Sequence, residues 1–144
     1  MQELDLSGNQ LTELPTAIGQ LINLQWLSLS GNQLTVLPLA IGQLINLQEL
    51  NLNKNQLQEL LPEIGRLLNL EKLGLANNQL EQLPESINQL IHLNYLNLQN
   101  NKLARFPSGL QTLFEKGQLL CEDNPVYDLP KENWFSDIAS EGEG

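Results

Sequence analysis

The sequence predicts an α/β-type repeat solenoid, in which one short strand and one turn are wound again and again around a single leucine core. Three observations lead there. Of 144 residues, 35 are Leu and another 32 are Asn or Gln, a skew that points to repetition. Rows of 23 residues place Met1, Leu24, Leu47, Leu70 and Leu93 at one offset, with a sixth, partial row starting at Lys116, and the register never slips. Every row also carries the same asparagine, at Asn9, Asn32, Asn55, Asn78, Asn101 and Asn124.

Each row opens with Leu-x-x-Leu-x-Leu, whose closing alternation of period two is that of a short, half-buried strand with its leucines turned inward. The asparagine follows three residues later and must turn the chain. Its amide holds both donors and an acceptor, so stacked copies can satisfy inward-facing backbone groups beyond the sheet ladder. Leaving such groups unpaired costs about 1–3 kcal/mol each. The second half of a row, as in "LPTAIGQLINLQWLSLSGNQL" from Leu14 to Leu34, completes a pattern LxxLxLxxNxLxxLPxxIGxLxxL. This pattern resembles the leucine-rich repeat family in its 23-residue class, and its wording is most like bacterial arrays, notably leptospiral ones, and like the repeats of Ras-regulating and Roco proteins. The resemblance covers residues 1–130. It implies a right-handed horseshoe segment with a parallel β-sheet on the concave side and irregular or 3-10 turns on the convex side.

Departures from the pattern set further expectations. Pro15, Pro38, Pro84, Pro107 and Pro130 share an offset, but row three has Leu61 there and Pro62 one place later, which predicts a locally altered convex turn. The recurring Gly19, Gly42 and Gly65 read as tight convex turns. In row six Leu120 takes a strand position usually left to polar residues, and Cys121 replaces a core leucine as a buried, inert thiol. After Pro130 the segment "KENWFSDIASEGEG" breaks the repeat. Residues 131–144 are expected to form a cap and acidic tail, with a short helix from near Lys131 turning Trp134, Phe135 and Ile138 onto the open end of the core and Glu141 to Gly144 frayed. At the other end the chain begins inside a repeat, so either a longer array continues upstream or the first strand stands uncapped. An uncapped strand predicts self-association through its edge, against which Glu3 and Asp5 work.

Charge and composition exclude several functions. The net charge is −10, with seven Lys and Arg, which repels phosphate backbones and argues against nucleic acid. No apolar run approaches the roughly 18 residues needed to span a bilayer, and nothing has the form of a secretion signal. One Cys makes no internal disulfide, which fits a reducing compartment, although bacterial surface proteins also lack disulfides. His92 falls at the last offset of row four, where rows one to three place Asn23, Asn46 and Asn69; it reads as a surface histidine out of reach of Cys121, so no nucleophile and base pair is expected. One His and one Cys do not supply a zinc site, and no catalytic residue or cofactor is expected. Glu115 to Gly144 hold eight acids against Lys116 and Lys131. Within that segment Glu122, Asp123 and Asp128 form a weak calcium candidate, which lacks the regular spacing of a calcium loop; a solvated acidic cap is the plainer reading.

Two surfaces are candidates for binding. Solvent-facing strand positions read Glu3, Trp26, Glu49, Lys72, Tyr95 and Gln118 along one column and Asp5, Ser28, Asn51, Gly74, Asn97 and Leu120 along the next. With neighbouring rungs about 4.8 Å apart, Trp26 and Tyr95 flank Glu49 and Lys72 across roughly 14 Å. Aromatic residues on a solvent-facing strand are typical binding anchors, so a protein ligand is expected across Trp26, Glu49, Asn51, Lys72, Tyr95 and Asn97. The second surface is the column Ile22, Ile45, Leu68, Ile91 and Phe114, often polar in the resembled family. Exposed, it is a ridge about 20 Å long suited to self-association; tucked beneath the turn, it is extra core.

The leading functional expectation is a non-catalytic protein-binding module using the concave face. Resemblance to leptospiral arrays implies a bacterial secreted or surface-exposed protein that contacts host proteins, adhesion receptors among them, in a role in virulence. Resemblance to Ras-regulating and Roco arrays implies instead a fragment of an intracellular, cytoplasmic signalling scaffold. A calcium-responsive acidic binding protein is the third alternative.

Overall fold

Each row becomes one coil. In the computed structural model, which describes residues 2–136, the strands are β1 Glu3–Asp5, β2 Trp26–Ser28, β3 Glu49–Asn51, β4 Lys72–Gly74, β5 Tyr95–Asn97 and β6 Leu119–Leu120. All six form one sheet in chain order. Every pairing is parallel and advances by one row, so Glu3 lies opposite Trp26 and Trp26 opposite Glu49. Strands this short persist because their inward leucines are sealed: Leu27, Leu29, Leu52, Leu73, Leu75, Leu96 and Leu98 are fully buried. Each contributes about 1.5–3 kcal/mol of burial.

Where the ladder ends, the row asparagines take over. Asn55 donates from Nδ2 to the carbonyls of Leu29 (2.9 Å) and Leu52 (3.1 Å) and accepts the N–H of Leu34 at 3.1 Å. Asn32, Asn78, Asn101 and Asn124 repeat the arrangement one rung apart. Among the described residues no buried side-chain polar atom lacks a partner. To aim each amide inward, the preceding residue adopts a left-handed backbone: Gly8, Gly31, Lys54, Asn77, Asn100 and Asp123 have φ between 57° and 69°. Gly, Asn and Asp tolerate that conformation, whereas Lys54 carries its Cβ against it.

The convex side is a stack of 3-10 turns, Thr16–Gln20, Leu39–Gln43, Pro62–Arg66 and Glu85–Gln89. A proline precedes three of them with φ near −68° and ψ near 150°, a φ its ring already fixes. The altered turn expected in row three does not occur. Leu61 adopts φ −75° and ψ 154°, and Pro62 becomes the first residue of an ordinary 3-10 turn, where its missing N–H costs nothing. The glycines, too, have a different reason from the one expected: Gly19, Gly42 and Gly65 lie inside these turns without positive φ, and what they supply is room. A Cβ on Gly65 would stand 2.6 Å from Ser86 Cβ and 2.7 Å from the Ser86 carbonyl oxygen of the next rung.

Row five breaks the pattern. Its 3-10 turn Ser108–Leu110 runs into a short helix, α1 Gln111–Glu115, which ends at Gly117 with φ +71°. Row four carries Asn88 where Gly stood, and its side-chain Oδ1 accepts the Gly109 N–H at 3.0 Å. Lys116 occupies the offset at which Leu24, Leu47, Leu70 and Leu93 are buried, and it is exposed. The missing leucine leaves a crevice of about 250 Å³ between rungs four and five, lined by Leu90, Leu93, Leu110 and Leu113. Leu93 is 7% exposed there, whereas Leu70 is fully covered.

The end of the core beyond row six is closed by aromatics. The expected cap helix is a single 3-10 turn, Lys131–Asn133. It delivers Trp134 into the core, where the indole N–H donates to the Leu129 carbonyl at 2.9 Å and the ring meets Phe114 edge-on at 5.2 Å. Phe135 pairs as an isolated bridge with Phe106, whose N–H bonds the Trp134 carbonyl at 2.7 Å. Cys121 is buried as expected. Ile138 and the segment Glu141 to Gly144 lie outside the described residues.

Candidate functional site

On the strand face, the register places Glu3, Trp26, Glu49, Lys72 and Tyr95 side by side on successive rungs. Trp26 is half-buried against its neighbours and Tyr95 is 37% exposed. Both rings therefore remain open to solvent. Between them Lys72 Nζ stands 3.9 Å from a Glu49 carboxylate oxygen, with both side chains about half exposed; at that distance and exposure the pair holds little energy. A hollow of about 200 Å³ lies within the frame of Trp26, Glu49, Lys72 and Tyr95. Gly74 makes its floor, because a Cβ there would come within 2.8 Å of Asn53 Oδ1, an oxygen that bonds the Ala76 N–H at 2.8 Å.

The two asparagines of the predicted surface are partly committed elsewhere. Asn51 Oδ1 accepts the Asn53 N–H and Asn97 Oδ1 the Gln99 N–H, each at 3.0 Å. Asn51 stays half-buried, whereas Asn97 is only 9% exposed and offers a ligand little beyond its edge. Asp5, two residues along from Glu3, accepts both the hydroxyl (2.6 Å) and the N–H (2.9 Å) of Ser7, bonds that hold its carboxyl below the usual carboxylate range.

The apolar column divides. Ile22, Ile45, Leu68 and Ile91 are exposed, from 52% at Leu68 to 77% at Ile91. Phe114 instead turns inward, packing on Trp134 and Phe135. The ridge is thus four residues long, not five, because α1 redirects the last member into the cap. Beside it runs a second asparagine ladder that sequence reading missed: Asn46 and Asn69 donate to the carbonyls of Ile22 and Ile45, each at 2.8 Å. The shared offset of Asn23, Asn46 and Asn69 was the available signal.

Chemical groups are sparse. His92 is exposed on the rim of an open, amide-lined groove with Asn69 and Asn94, while Cys121 is buried in row six. Burial pushes the Cys121 thiol up to about 11, with the Glu122 charge adding to the rise and Lys131 opposing it; the thiol stays protonated. Among the described residues no three His, Cys, Asp or Glu side chains gather as a metal ion would require. Glu122, Asp123 and Asp128 border an open recess beside Tyr127 without converging. Glu122 is engaged by Gln99, whose Nε2 donates to it at 2.6 Å, and this bond lowers its pKa. No helix among the described residues is long and apolar enough to cross a membrane.

Comparison with known proteins agrees with the geometry. A family model described as leucine-rich repeats in two copies matches residues 22–63, and one described as a leucine-rich repeat matches residues 1–21, 69–90 and 92–113. Among solved structures, a leucine-rich repeat protein of Leptospira interrogans is 33% identical with a TM-score of 0.51, over 92% of this chain and 45% of that one. The chain thus spans less than half the length of that protein. Among curated proteins none matches the sequence.

Proposed function

Because the chain belongs to the leucine-rich repeat family, whose arrays are in general protein-interaction modules, we propose that it is a non-catalytic module that binds a protein ligand across its concave strands. The ligand lies over Trp26, Glu49, Asn51, Lys72 and Tyr95, with the rim of Asn97 at its far end. One observation carries the reading. Trp26 and Tyr95 stand open to solvent three rungs apart, at either end of a hollow floored by Gly74. Aromatic side chains bury up to about 150–250 Å² each when covered, and such anchors typically contribute 2 kcal/mol or more to an interface. Nothing in the reading asks for a nucleophile, and the one thiol is buried and protonated.

The similarity to a Leptospira interrogans protein supports placing the module in a bacterial protein that meets its ligand, a host surface protein, outside the cell. Sequencing the full gene tests that part: an upstream secretion signal supports it, and an attached GTPase or kinase domain moves the module into the cytoplasm. The binding face is tested by capturing partners with the wild type and with a Trp26→Ala, Tyr95→Ala double variant. A partner held by the first and lost by the second is the expected result. Unchanged capture overturns the assignment of the face.

A further inference from the structure

The concave face is not electrically uniform, and its asymmetry describes the partner. Trp26 lies on β2 with Glu3 directly opposite on β1 and Glu49 directly opposite on β3. At a strand spacing of about 4.8 Å, one carboxylate flanks each edge of the indole. Asp5 is two residues beyond Glu3 on the same strand and therefore on the same face, and its bonds to Ser7 favour the charged form. The sole cation in this frame is Lys72, two rungs from Trp26; its contact with Glu49 at 3.9 Å is too long for a hydrogen bond. Glu49 therefore keeps acceptor capacity for an incoming group.

We propose that the protein partner seats a cationic side chain, arginine by preference, on the Trp26 ring between the carboxylates of Glu3 and Glu49. The inference rests on the concave-face reading and specifies its chemistry. An aromatic face attracts a cation through its quadrupole, and carboxylates on either side supply charge-assisted acceptors at the ring edge. Guanidinium fits better than ammonium because it is planar, weakly hydrated and able to stack while donating sideways. An apolar or acidic segment in the same place would have to desolvate three carboxylates without compensation. The net charge of −10 also raises the encounter rate with a basic partner surface.

The test uses Gly-Ser peptides carrying a single central Arg, Lys, Ala or Glu, titrated into the full chain while the two indole N–H resonances are followed by NMR. Trp134, buried and bonded to Leu129, serves as the internal control. The Arg peptide is expected to shift the Trp26 indole and to bind about tenfold tighter than the Ala peptide, with Lys between them and Glu weakest. Glu3→Gln with Glu49→Gln should remove most of that preference while leaving the Trp134 resonance in place. If Arg and Ala peptides shift Trp26 alike, the arginine seat is wrong and the concave face survives. No shift of Trp26 by any peptide also rejects the seat, and the capture experiment with the Trp26 and Tyr95 double variant then judges the face separately.

Discussion

Replacing Asn78 by Ala removes one rung of the polar ladder, and its cost can be worked out bond by bond. The side chain accepts the Leu57 N–H at 3.0 Å and donates to the carbonyls of Leu52 (3.0 Å) and Leu75 (3.1 Å), with a longer contact to the Ala76 carbonyl at 3.3 Å that the Lys54 N–H already satisfies at 2.8 Å. Those carbonyls each keep a second donor, Asn55 for Leu52 and Asn101 for Leu75, so each loses only about 0.5 kcal/mol. The Leu57 N–H is left buried with no partner, at about 2 kcal/mol. The total is about 3 kcal/mol, a large share of the roughly 5–15 kcal/mol that stabilises a domain. Asn9 is the matching control: it occupies the same offset but is exposed, and it bonds only its own rung. Its Ala variant strands no amide and should cost under about 1 kcal/mol. Urea titration followed by circular dichroism reads the difference as a midpoint about 1–1.5 M lower for Asn78→Ala, at an m of about 2–3 kcal/mol/M. Equal midpoints for the two variants would refute the ladder as a source of stability.

Three further outcomes follow from packing and titration. Gly65→Ala should destabilise the fold by about 1–3 kcal/mol, because its new methyl meets the Ser86 backbone of the next rung; a thermal midpoint unchanged from wild type contradicts the room argument. Cys121 should react with a thiol reagent at pH 8 only at the rate of unfolding. Because its folded pKa of about 11 exceeds the ordinary 9.0, the unfolded chain loses that proton first, and the thiol's contribution to stability falls as pH rises from 9 toward 11. Labelling as fast as for an unfolded control defeats this. Ile45→Lys with Ile91→Lys should leave the melting temperature within a few degrees, since both side chains project outward, and should abolish any dimer seen by sedimentation; unfolding would mean that the ridge is core after all.

What the letters revealed was whatever repeats. A fixed interval between leucines and asparagines determines strand, register and ladder together, so rungs two to five could be laid out from spacing alone. Local exceptions were opaque for lack of a neighbour to compare against. Pro62 looked disruptive, yet the first position of a 3-10 turn has no use for an N–H, and Leu61 can adopt the proline backbone at little cost. Phe114 looked like one more ridge residue, and only the arrival of Trp134 from twenty positions later gives it a reason to turn inward. Gly65 was legible as a glycine but not as a spacer, because its constraint comes from Ser86 in the next rung. At the candidate site, alternation puts Trp26 and Tyr95 on the open face, where Trp26 is half-buried and Tyr95 exposed. Asn97 is buried although Asn51 makes the same bond and is not, and its neighbour across the ladder is the apolar Leu120, a contact that alternation along one strand does not encode.

The seam beside Lys116 has a mechanical consequence. Rungs one to three interlock through sealed leucines and two amide ladders; the outer ladder stops at His92, between rungs three and four, and the crevice then thins the grip between rungs four and five. Pulled from its two ends, the coil would part here first, releasing the aromatic plug and its last turns as a unit while the earlier turns stay wound, as a spring fails at its softest loop.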